Sequence, residues 1–320
     1  MQSIAIYTEQ PGEGAATRIL ASGGFAATFG RLPPTALMLL SIFSSQLGAA
    51  LATVFFSSIG PVGTSFASTL CSALVLTAMA RPRISNLRLD RPLIDRRLRR
   101  HFGWLFLLGL VELGMGLPFY LAIERIPLGI AATISFFGPL GLAVATSRRP
   151  LHFALIGLGV LGIALLAPEV GGALDPVGLA YAGISAVAWA AFVPISKRLG
   201  RVFSGTEALA YALWVTTALL LIPALWEGNL RNAGMSDLAG TFGVSLLGVV
   251  LPMALEYRAL QRMSARTYGI LLTLEPGAGA LVGVVCLGQQ PSGWMLVAVA
   301  CVMLSALGIT LSDRADSRRD

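Results

Sequence analysis

Charged residues are scarce in this chain. Only 12% of its 320 residues are Asp, Glu, Lys or Arg, while 55% are hydrophobic and the mean hydropathy is +0.76. Soluble domains carry about 25% charged residues. The chain therefore cannot build a water-facing surface, which excludes an ordinary soluble protein and predicts an integral membrane protein.

Cysteine and histidine are rare as well. The three cysteines, Cys71, Cys286 and Cys301, lie in apolar runs without the spacing of a disulfide framework or a metal site. The histidines, His101 and His152, stand at the ends of apolar segments, and no Ser/His/Asp set can be assembled around them. A phosphate-binding loop ending in Lys-Ser/Thr is missing, which excludes an ATP-driven pump. We expect neither a metal nor a cofactor.

Lys and Arg are distributed unevenly. Of the 23 basic residues, 21 fall in alternate gaps between the apolar stretches, and only Arg125 and Arg231 fall in the other gaps. Basic loops stay cytoplasmic during insertion, so the pattern predicts an even number of helices with both termini in the cytoplasm. The net charge of +7 is anchoring charge rather than a nucleic-acid surface, because no basic face with interleaved aromatics occurs.

Ten segments are apolar and close to the ~20 residues that a spanning helix needs. They are 36–58, 61–80, 102–122, 128–146, 151–167, 177–195, 206–226, 239–258, 267–287 and 293–311. Ten helices divide into two groups of five, and an odd number per half inverts the second half relative to the first.

A weak internal repeat supports duplication. AIERIPLGIAATISFFGP (122–139) aligns without gaps on ALQRMSARTYGILLTLEP (259–276) and keeps the Ala, the Arg and the final Pro. Inverted repeats are common in secondary transporters, where the binding site lies near the membrane midplane. We predict an all-α integral membrane protein of ten transmembrane helices in an inverted 5+5 repeat. Its parts are a cytoplasmic tail (1–33), two repeats (34–168 and 169–312) and a second cytoplasmic tail (313–320).

Acidic residues inside the spans are the first candidates for function. A charge at the bilayer centre costs ~2.5–3.5 kcal/mol on insertion scales, so one that is kept there usually faces a cavity. Glu275 is the strongest candidate, because it adjoins Pro276 and paired breaks in corresponding helices indicate a transport site. The counterpart break is expected at Pro139. Glu112 lies in the middle of helix three, and Glu256 lies near the cytoplasmic end of helix eight, where an interfacial ion pair is an equal alternative.

Other polar or amphipathic residues in or near the spans could line a pore. They are Gln46, Thr53, Tyr120, Ser135, Trp189 and Tyr257. The tyrosines and Trp189 could equally be packing residues or interfacial anchors. Glycines such as the Gly279-x-x-x-Gly283 pair indicate close helix packing.

Three stretches resemble the ten-helix EamA branch of the drug/metabolite transporter superfamily, most of all its threonine/homoserine exporter group. They are FYLAIERIPLGIAATISFFGPLGLAVATSRRP (119–150), AVAWAAFVPISKRLG (186–200) and LPMALEYRALQRMSARTYGILLTLEPGAGA (251–280). Gln46, Glu256 and Glu275 match the pattern of that group. The resemblance implies an inner-membrane exporter of small amino acids driven by proton antiport. Its partners would be a small-molecule substrate, protons and the bilayer, without nucleic acid, and a homodimer is left open.

Three positions depart from the pattern of the group. Ser135 stands where an acidic residue precedes FxGPL, Ala67 where the second helix carries an Arg, and Thr53 where the first helix carries a Lys. These changes alter the charge of the implied cavity, and Glu112 could replace the missing carboxylate from another helix. Two alternatives remain: the same fold carrying another metabolite or an amphipathic drug, and a membrane enzyme or non-transporting scaffold.

Overall fold

The described part of the chain is helical. The computed structural model describes residues 32–80, 92–145, 150–165, 174–200, 202–203, 205–227, 233–260, 262–263 and 265–312, and these residues contain no β-strand. We number the helices α1 to α10 in chain order. The predicted all-α class is confirmed for this part of the chain.

The helix bounds follow the apolar segments closely. In the first half they are α1 (Pro34–Val54), α2 (Phe56–Ala80), α3 (Pro92–Ile123), α4 (Leu128–Ala145) and α5 (Pro150–Ala164). In the second half they are α6 (Pro176–Gly200), α7 (Gly205–Trp226), α8 (Met235–Leu260), α9 in two parts, α9a (Ala265–Leu272) and α9b (Glu275–Leu287), and α10 (Gly293–Ser312).

Eight of these helices are long and apolar enough to cross a membrane. The two shorter ones are α4, with 18 residues, and α5, with 15 residues. At a rise of 1.5 Å per residue, an 18-residue helix is about 27 Å long, against a hydrocarbon core of about 30 Å. The chain is therefore a multi-pass membrane protein.

Three irregularities interrupt the helices. Gly60 has a φ of 72° inside α2, a conformation that favours glycine, and Pro61 opens the rest of the helix. The middle of α8, Leu246–Val250, is π-helical. The ninth helix stops at Leu272 and resumes at Glu275.

The helix contacts between the two halves of the chain form a repeated pattern. Helices α3 and α4 of the first half both pack against α6 of the second half, and helices α8 and α9 of the second half both pack against α1 of the first half. The pairs α2–α7, α4–α9 and α5–α10 also pack together. At Gly138 α4 comes so close to α6 that a Cβ atom would overlap the carbonyl oxygen of Ala186.

The largest cluster of buried apolar side chains lies at one end of the bundle. It contains Ala49 and Ala50 of α1, Ile123 and Ile126 at the end of α3, and Leu128 at the start of α4, together with residues of α6, α9 and α10. We call this end, where α3 ends and α4 begins, the sealed end.

Candidate functional site

Gln46 and Glu275 face each other's helices in the middle of the bundle. Gln46 on α1 is only 4% exposed, and a Cβ atom on Gly279 of α9b would lie 3.1 Å from its Oε1 atom. Gly279 lies one turn after Glu275 on the same face of α9b. Neither Gln46 Oε1 nor Glu275 Oε2, both buried, has a hydrogen-bond partner in the described structure.

The interruption of α9 places Glu275 at the start of a new helix. Thr273 and Leu274 form a turn, in which their N–H groups donate to Ile270 and Leu271, and α9b begins at Glu275 with Pro276 in its first turn. Because Pro276 has no N–H group, it cannot donate to the carbonyl of Leu272. The break beside Pro276 that the sequence predicts is therefore present.

The counterpart break at Pro139 is not present, so this half of the paired-break prediction is wrong. Helix α4 runs from Leu128 to Ala145 through Pro139 without interruption. The missing N–H still leaves the carbonyl of Ser135 without its usual donor. One residue before Pro139, at Gly138, α4 packs closely against α6.

Glu256 has a specific partner. Its carboxylate accepts a hydrogen bond from the hydroxyl of Tyr268 on α9a. Glu256 and Glu275 lie on α8 and α9b, which both pack against α1. Gln46, Glu256 and Glu275 thus form one group around α1, α8 and α9, which we call the α1–α8–α9 group.

Glu112 lies on the inner side of α3. It is one turn from Leu108, which is 2% exposed, and the exposed Phe106 and Leu110 lie on the other side of the helix. The same helix is bound to α6 by a hydrogen bond of 3.0 Å from the Ser185 hydroxyl to the Met115 carbonyl. Glu112 is therefore directed at protein rather than at lipid.

Ser135 lies on α4 and Trp189 lies on α6. The Ser135 hydroxyl is buried and lies 3.5 Å from the carbonyl oxygen of Ala182 on α6. Trp189 stacks edge-on against Phe136, with ring centroids 6.0 Å apart. Glu112, Ser135 and Trp189 lie on helices that pack together, and we call them the α3–α4–α6 group.

Helix α4 separates the two groups. On one face, Ala132 of α4 lies against Gly279 of α9b, and one turn later Ser135 faces α6. The two groups have similar helix contacts: α8 and α9 both pack against α1, and α3 and α4 both pack against α6. Six of the predicted residues therefore lie on helices that pack between the two halves of the chain: Gln46, Glu112, Ser135, Trp189, Glu256 and Glu275.

Two tyrosines complete the predicted set. Tyr120 on α3 packs its ring against that of Phe56 on α2, with the ring centroids 5.8 Å apart. The side chain of Tyr257 lies outside the described residues, as do residues 1–31 of the predicted tail 1–33 and the predicted tail 313–320.

Polar contacts tie the helices together at the sealed end. Arg125 and Asp175 form an ion pair of 2.9 Å, and Asp175 also accepts a hydrogen bond from the N–H of Val177 at the start of α6. Hydrogen bonding to Arg125 is the main reason that the pKa of Asp175 lies below its ordinary value. The Gln289 side chain accepts a hydrogen bond of 3.0 Å from the N–H of Leu128. These contacts link four of the loops and helix ends that meet there.

Sequence patterns missed several of these contacts. Tyr268 gave no signal, since a tyrosine twelve residues after Glu256 follows no known motif. The role of Gly279 had a partial signal in its spacing to Gly283, which indicated close packing but not its neighbours. Among the described residues, no group of three His, Cys, Asp or Glu could hold a metal ion.

Known proteins resemble this chain along most of its length. Residues 176–311 match the EamA-like transporter family. The threonine/homoserine exporter RhtA of Escherichia coli K12 is 31% identical over 295 residues, covering 89% of this chain and 94% of that protein. RhtA of Salmonella typhimurium LT2 is 30% identical over 293 residues, covering 88% and 93%.

Two more distant matches agree with these. The uncharacterized transporter YdeK of Bacillus subtilis is 29% identical over 199 residues, covering 58% of this chain and 68% of that protein. A solved crystal structure superposes with a TM-score of 0.58 at 22% identity, covering 88% of this chain and 97% of that one, which shows a shared fold. With close to a third of its residues shared across nearly the full length of known exporters, the chain belongs to the EamA-like transporter family.

Proposed function

We propose that this chain is a secondary transporter, not an enzyme, and that it exports small amino acids of the threonine/homoserine kind by proton antiport. The observation that carries the proposal is its similarity to threonine/homoserine exporters over nearly the whole of both chains. The buried Gln46 and Glu275 at an interrupted helix provide a polar site of the kind that secondary transporters place near the membrane midplane.

The proposed architecture is ten transmembrane helices in an inverted 5+5 repeat, with residues 34–168 and 169–312 as the repeats. Support comes from the helix contacts. Exchanging each helix with the one five places later turns α3–α6 into α8–α1 and α4–α6 into α9–α1, and all four contacts are observed. The pairs α2–α7, α4–α9 and α5–α10 are unchanged by the exchange, as contacts across a two-fold axis must be.

The proposed orientation has both termini in the cytoplasm and the sealed end outside the inner membrane. The alternation of the 23 Lys and Arg residues supports it. Arg125, one of the two basic residues in the other gaps, is bound to Asp175 at the sealed end. Its charge is thus neutralised on the side where the positive-inside rule disfavours it.

In this orientation the external ends of the helices are held together. The apolar cluster around Ile123 and Leu128 and the Arg125–Asp175 pair lie between the central residues and the exterior. Export requires these ends to separate, so we propose that the sealed end forms the external gate.

Glu275 is the proposed coupling residue. An ionised carboxylate is costly to bury unless a proton or a cation neutralises it. A proton and the ammonium group of a substrate would therefore occupy Glu275 alternately. Such competition for one carboxylate couples proton entry to amino-acid exit, and no second binding residue is needed for the coupling.

Counterflow in proteoliposomes tests the proposal. Purified protein should exchange radiolabelled threonine and homoserine, and an imposed pH gradient should drive their accumulation. In a bacterium sensitive to excess threonine, expression should raise tolerance and lower the intracellular pool. The proposed substrate class is wrong if well-expressed protein changes neither the tolerance nor the pool and the purified protein exchanges neither compound.

A further inference from the structure

Three buried side-chain oxygens lack a hydrogen-bond partner in the described structure. They are Gln46 Oε1, Glu275 Oε2 and Ser305 Oγ. Buried polar atoms are nearly always paired in proteins, so an unpaired one requires an explanation. The first two belong to facing helices, whereas Ser305 lies apart on α10, near Gly159 of α5.

Gly279 of α9b lies close to Gln46 and one turn after Glu275. A Cβ atom at Gly279 would lie 3.1 Å from Gln46 Oε1 and 3.0 Å from the Cβ of Ala132. Any side chain there would crowd Gln46, so glycine at this position allows α9b to approach the Gln46 oxygen closely. Glu275 opens the same face of α9b one turn earlier.

Both atoms are hydrogen-bond acceptors, and neither has a donor among the residues that the structure describes. Lys and Arg are absent from residues 34–80, 126–147, 232–257 and 267–313, which hold α1, α2, α4, most of α8 and all of α9 after Arg266. A group that pairs with two acceptors, one of them a carboxylate, must itself donate hydrogen bonds. An ammonium group offers three donors and a positive charge.

We propose that Gln46 and Glu275 form a subsite for a primary ammonium group, and that the transporter recognises its cargo by this group rather than by a carboxylate. A substrate carboxylate meets no fixed cation at this depth, so it contributes little to binding. The cargo therefore includes primary amines without a carboxylate, such as amino-acid amides. The transport of such cargo depends on the proposed function, but the subsite itself can be tested by binding alone.

Three compounds separate the two ends of the substrate. Threonine carries both charges, threonine amide keeps only the ammonium, and N-acetylthreonine keeps only the carboxylate. The full-length protein in detergent is titrated with each compound, and its Tm is followed by thermal unfolding. Threonine amide should raise Tm at concentrations no higher than threonine requires. N-acetylthreonine should need at least about tenfold more, because it cannot offer a charged donor.

Binding of threonine amide by single-residue variants tests whether the subsite lies at Gln46 and Glu275. Gln46→Leu, Glu275→Gln and Gly279→Ala should each weaken the binding of threonine amide by about tenfold or more. Gly277→Ala is the matched control for the glycine, since its Cβ would meet only the flexible end of Met303, at 3.0 Å from the sulfur. Ser305→Ala is the control for removal of an unpaired buried oxygen elsewhere. Both controls should bind as the parent does, and the Tm without ligand shows that each variant is folded.

Failure of the subsite and failure of threonine export give different results. If threonine amide binds through Gln46 and Glu275 but threonine is not transported, the subsite stands and the proposed substrate is wrong. The subsite is overturned if N-acetylthreonine binds as well as threonine, if the amide does not bind, or if the three variants bind the amide as the controls do. A rise in Tm with Na⁺ over K⁺ and with no amine would also overturn it, because the occupant would then be a metal ion.

Discussion

The three acidic side chains inside the spans meet different surroundings. Glu256 is hydrogen-bonded to Tyr268, whereas Glu275 has an unpaired oxygen in the described structure, and Glu112 points inward from α3. A carboxyl that already has a donor contributes to structure. One with an unsatisfied oxygen is ready to take up a proton or a ligand. The surroundings therefore favour Glu275 over Glu256 as the residue that changes state during transport.

Substitution of Glu275 tests this assignment. Glu275→Gln keeps the shape of the side chain but cannot exchange a proton, so transport driven by a pH gradient should be abolished in proteoliposomes. The protein should still insert and remain monodisperse. Glu124→Gln, in the exposed loop after α3, is the control and should transport normally. Gradient-driven transport at the parent rate in Glu275→Gln would refute the coupling role.

Glu112 is predicted to supply the negative charge that the α4 position of Ser135 lacks. Both residues lie on helices that pack against α6. Glu112→Gln should therefore reduce transport by at least about tenfold, the effect of losing one charged hydrogen bond, and adding Ser135→Glu should restore much of it. The rates are compared at equal amounts of reconstituted protein. A double variant that is no better than Glu112→Gln would show that the two positions do not share a space.

The Tyr268–Glu256 contact should contribute to stability. Tyr268→Phe removes the donor and leaves a buried carboxyl unsatisfied, which costs about 1–3 kcal/mol. Replacing both partners, as Tyr268→Phe with Glu256→Leu, should cost less than Tyr268→Phe alone. Reversible unfolding in mixed detergent micelles measures both values. Equal losses in the single and double variants would show that the hydrogen bond is energetically unimportant.

At the scale of the helix, hydropathy predicted the bounds of most helices within a few residues but did not predict where helices are interrupted. The predicted segment 128–146 corresponds to Leu128–Ala145, and 293–311 corresponds to Gly293–Ser312. The first span was predicted to reach residue 58 but ends at Val54. Phe55 and Phe56 continue the apolar run past Val54, so hydropathy cannot detect the single turn residue, Phe55, between the helices.

Proline alone did not predict where helices break. Pro276 adjoins an interruption, whereas α4 passes through Pro139 unbroken. Helices α3, α6 and α7 likewise run through Pro118, Pro194 and Pro223, so the loss of one hydrogen bond does not by itself break a helix here. Gly138 brings α4 directly against α6, and this contact between distant parts of the sequence is invisible to local patterns. The same limit explains why Glu275 could be identified from the sequence but its neighbours, Gly279 and Gln46, could not be joined to it.

The contact at Gly138 can be tested with a matched glycine on the same helix. Gly138→Ala would force α4 and α6 apart, because the Cβ would overlap a backbone oxygen, and overpacking of this kind costs about 1–3 kcal/mol. A Cβ at Gly141 would have no neighbour within 4 Å. Gly141→Ala should therefore leave Tm unchanged, and Gly138→Ala should lower it clearly. Equal Tm values for both would contradict the close approach.

At the scale of the whole molecule, the groups around α1, α8, α9 and around α6, α3, α4 stand in equivalent places but carry different side chains. The first has Gln46, Glu256 and Glu275, and the second has Glu112, Ser135 and Trp189. The proposed inverted repeat would account for the equivalent places of the two groups. The helix contacts support this proposed symmetry.

Accessibility of single cysteines decides the topology. With Cys71, Cys286 and Cys301 replaced, cysteines at Asn86 and Asn229 should be labelled from opposite sides of the membrane. Residue 86 lies in the gap with eight arginines, and residue 229 lies in a gap with only one. A membrane-impermeant maleimide on intact cells should label position 229 but reach position 86 only after the membrane is opened.

A third labelled position, residue 124, limits the possible number of membrane crossings between positions 86 and 229. Glu124, exposed at the sealed end beside Arg125, should label from outside when replaced by cysteine. Between positions 86 and 124 the chain then crosses the membrane once. Between positions 124 and 229 it crosses an even number of times. Since α6 and α7 give two crossings, the short helices α4 and α5 must either both span the membrane or both not span it. Labelling in the 146–149 gap separates these cases, because a cysteine replacing Ser147 is cytoplasmic if both helices span and external if neither does. External labelling at position 147, or labelling of positions 86 and 229 from the same side, would end the ten-helix inverted scheme.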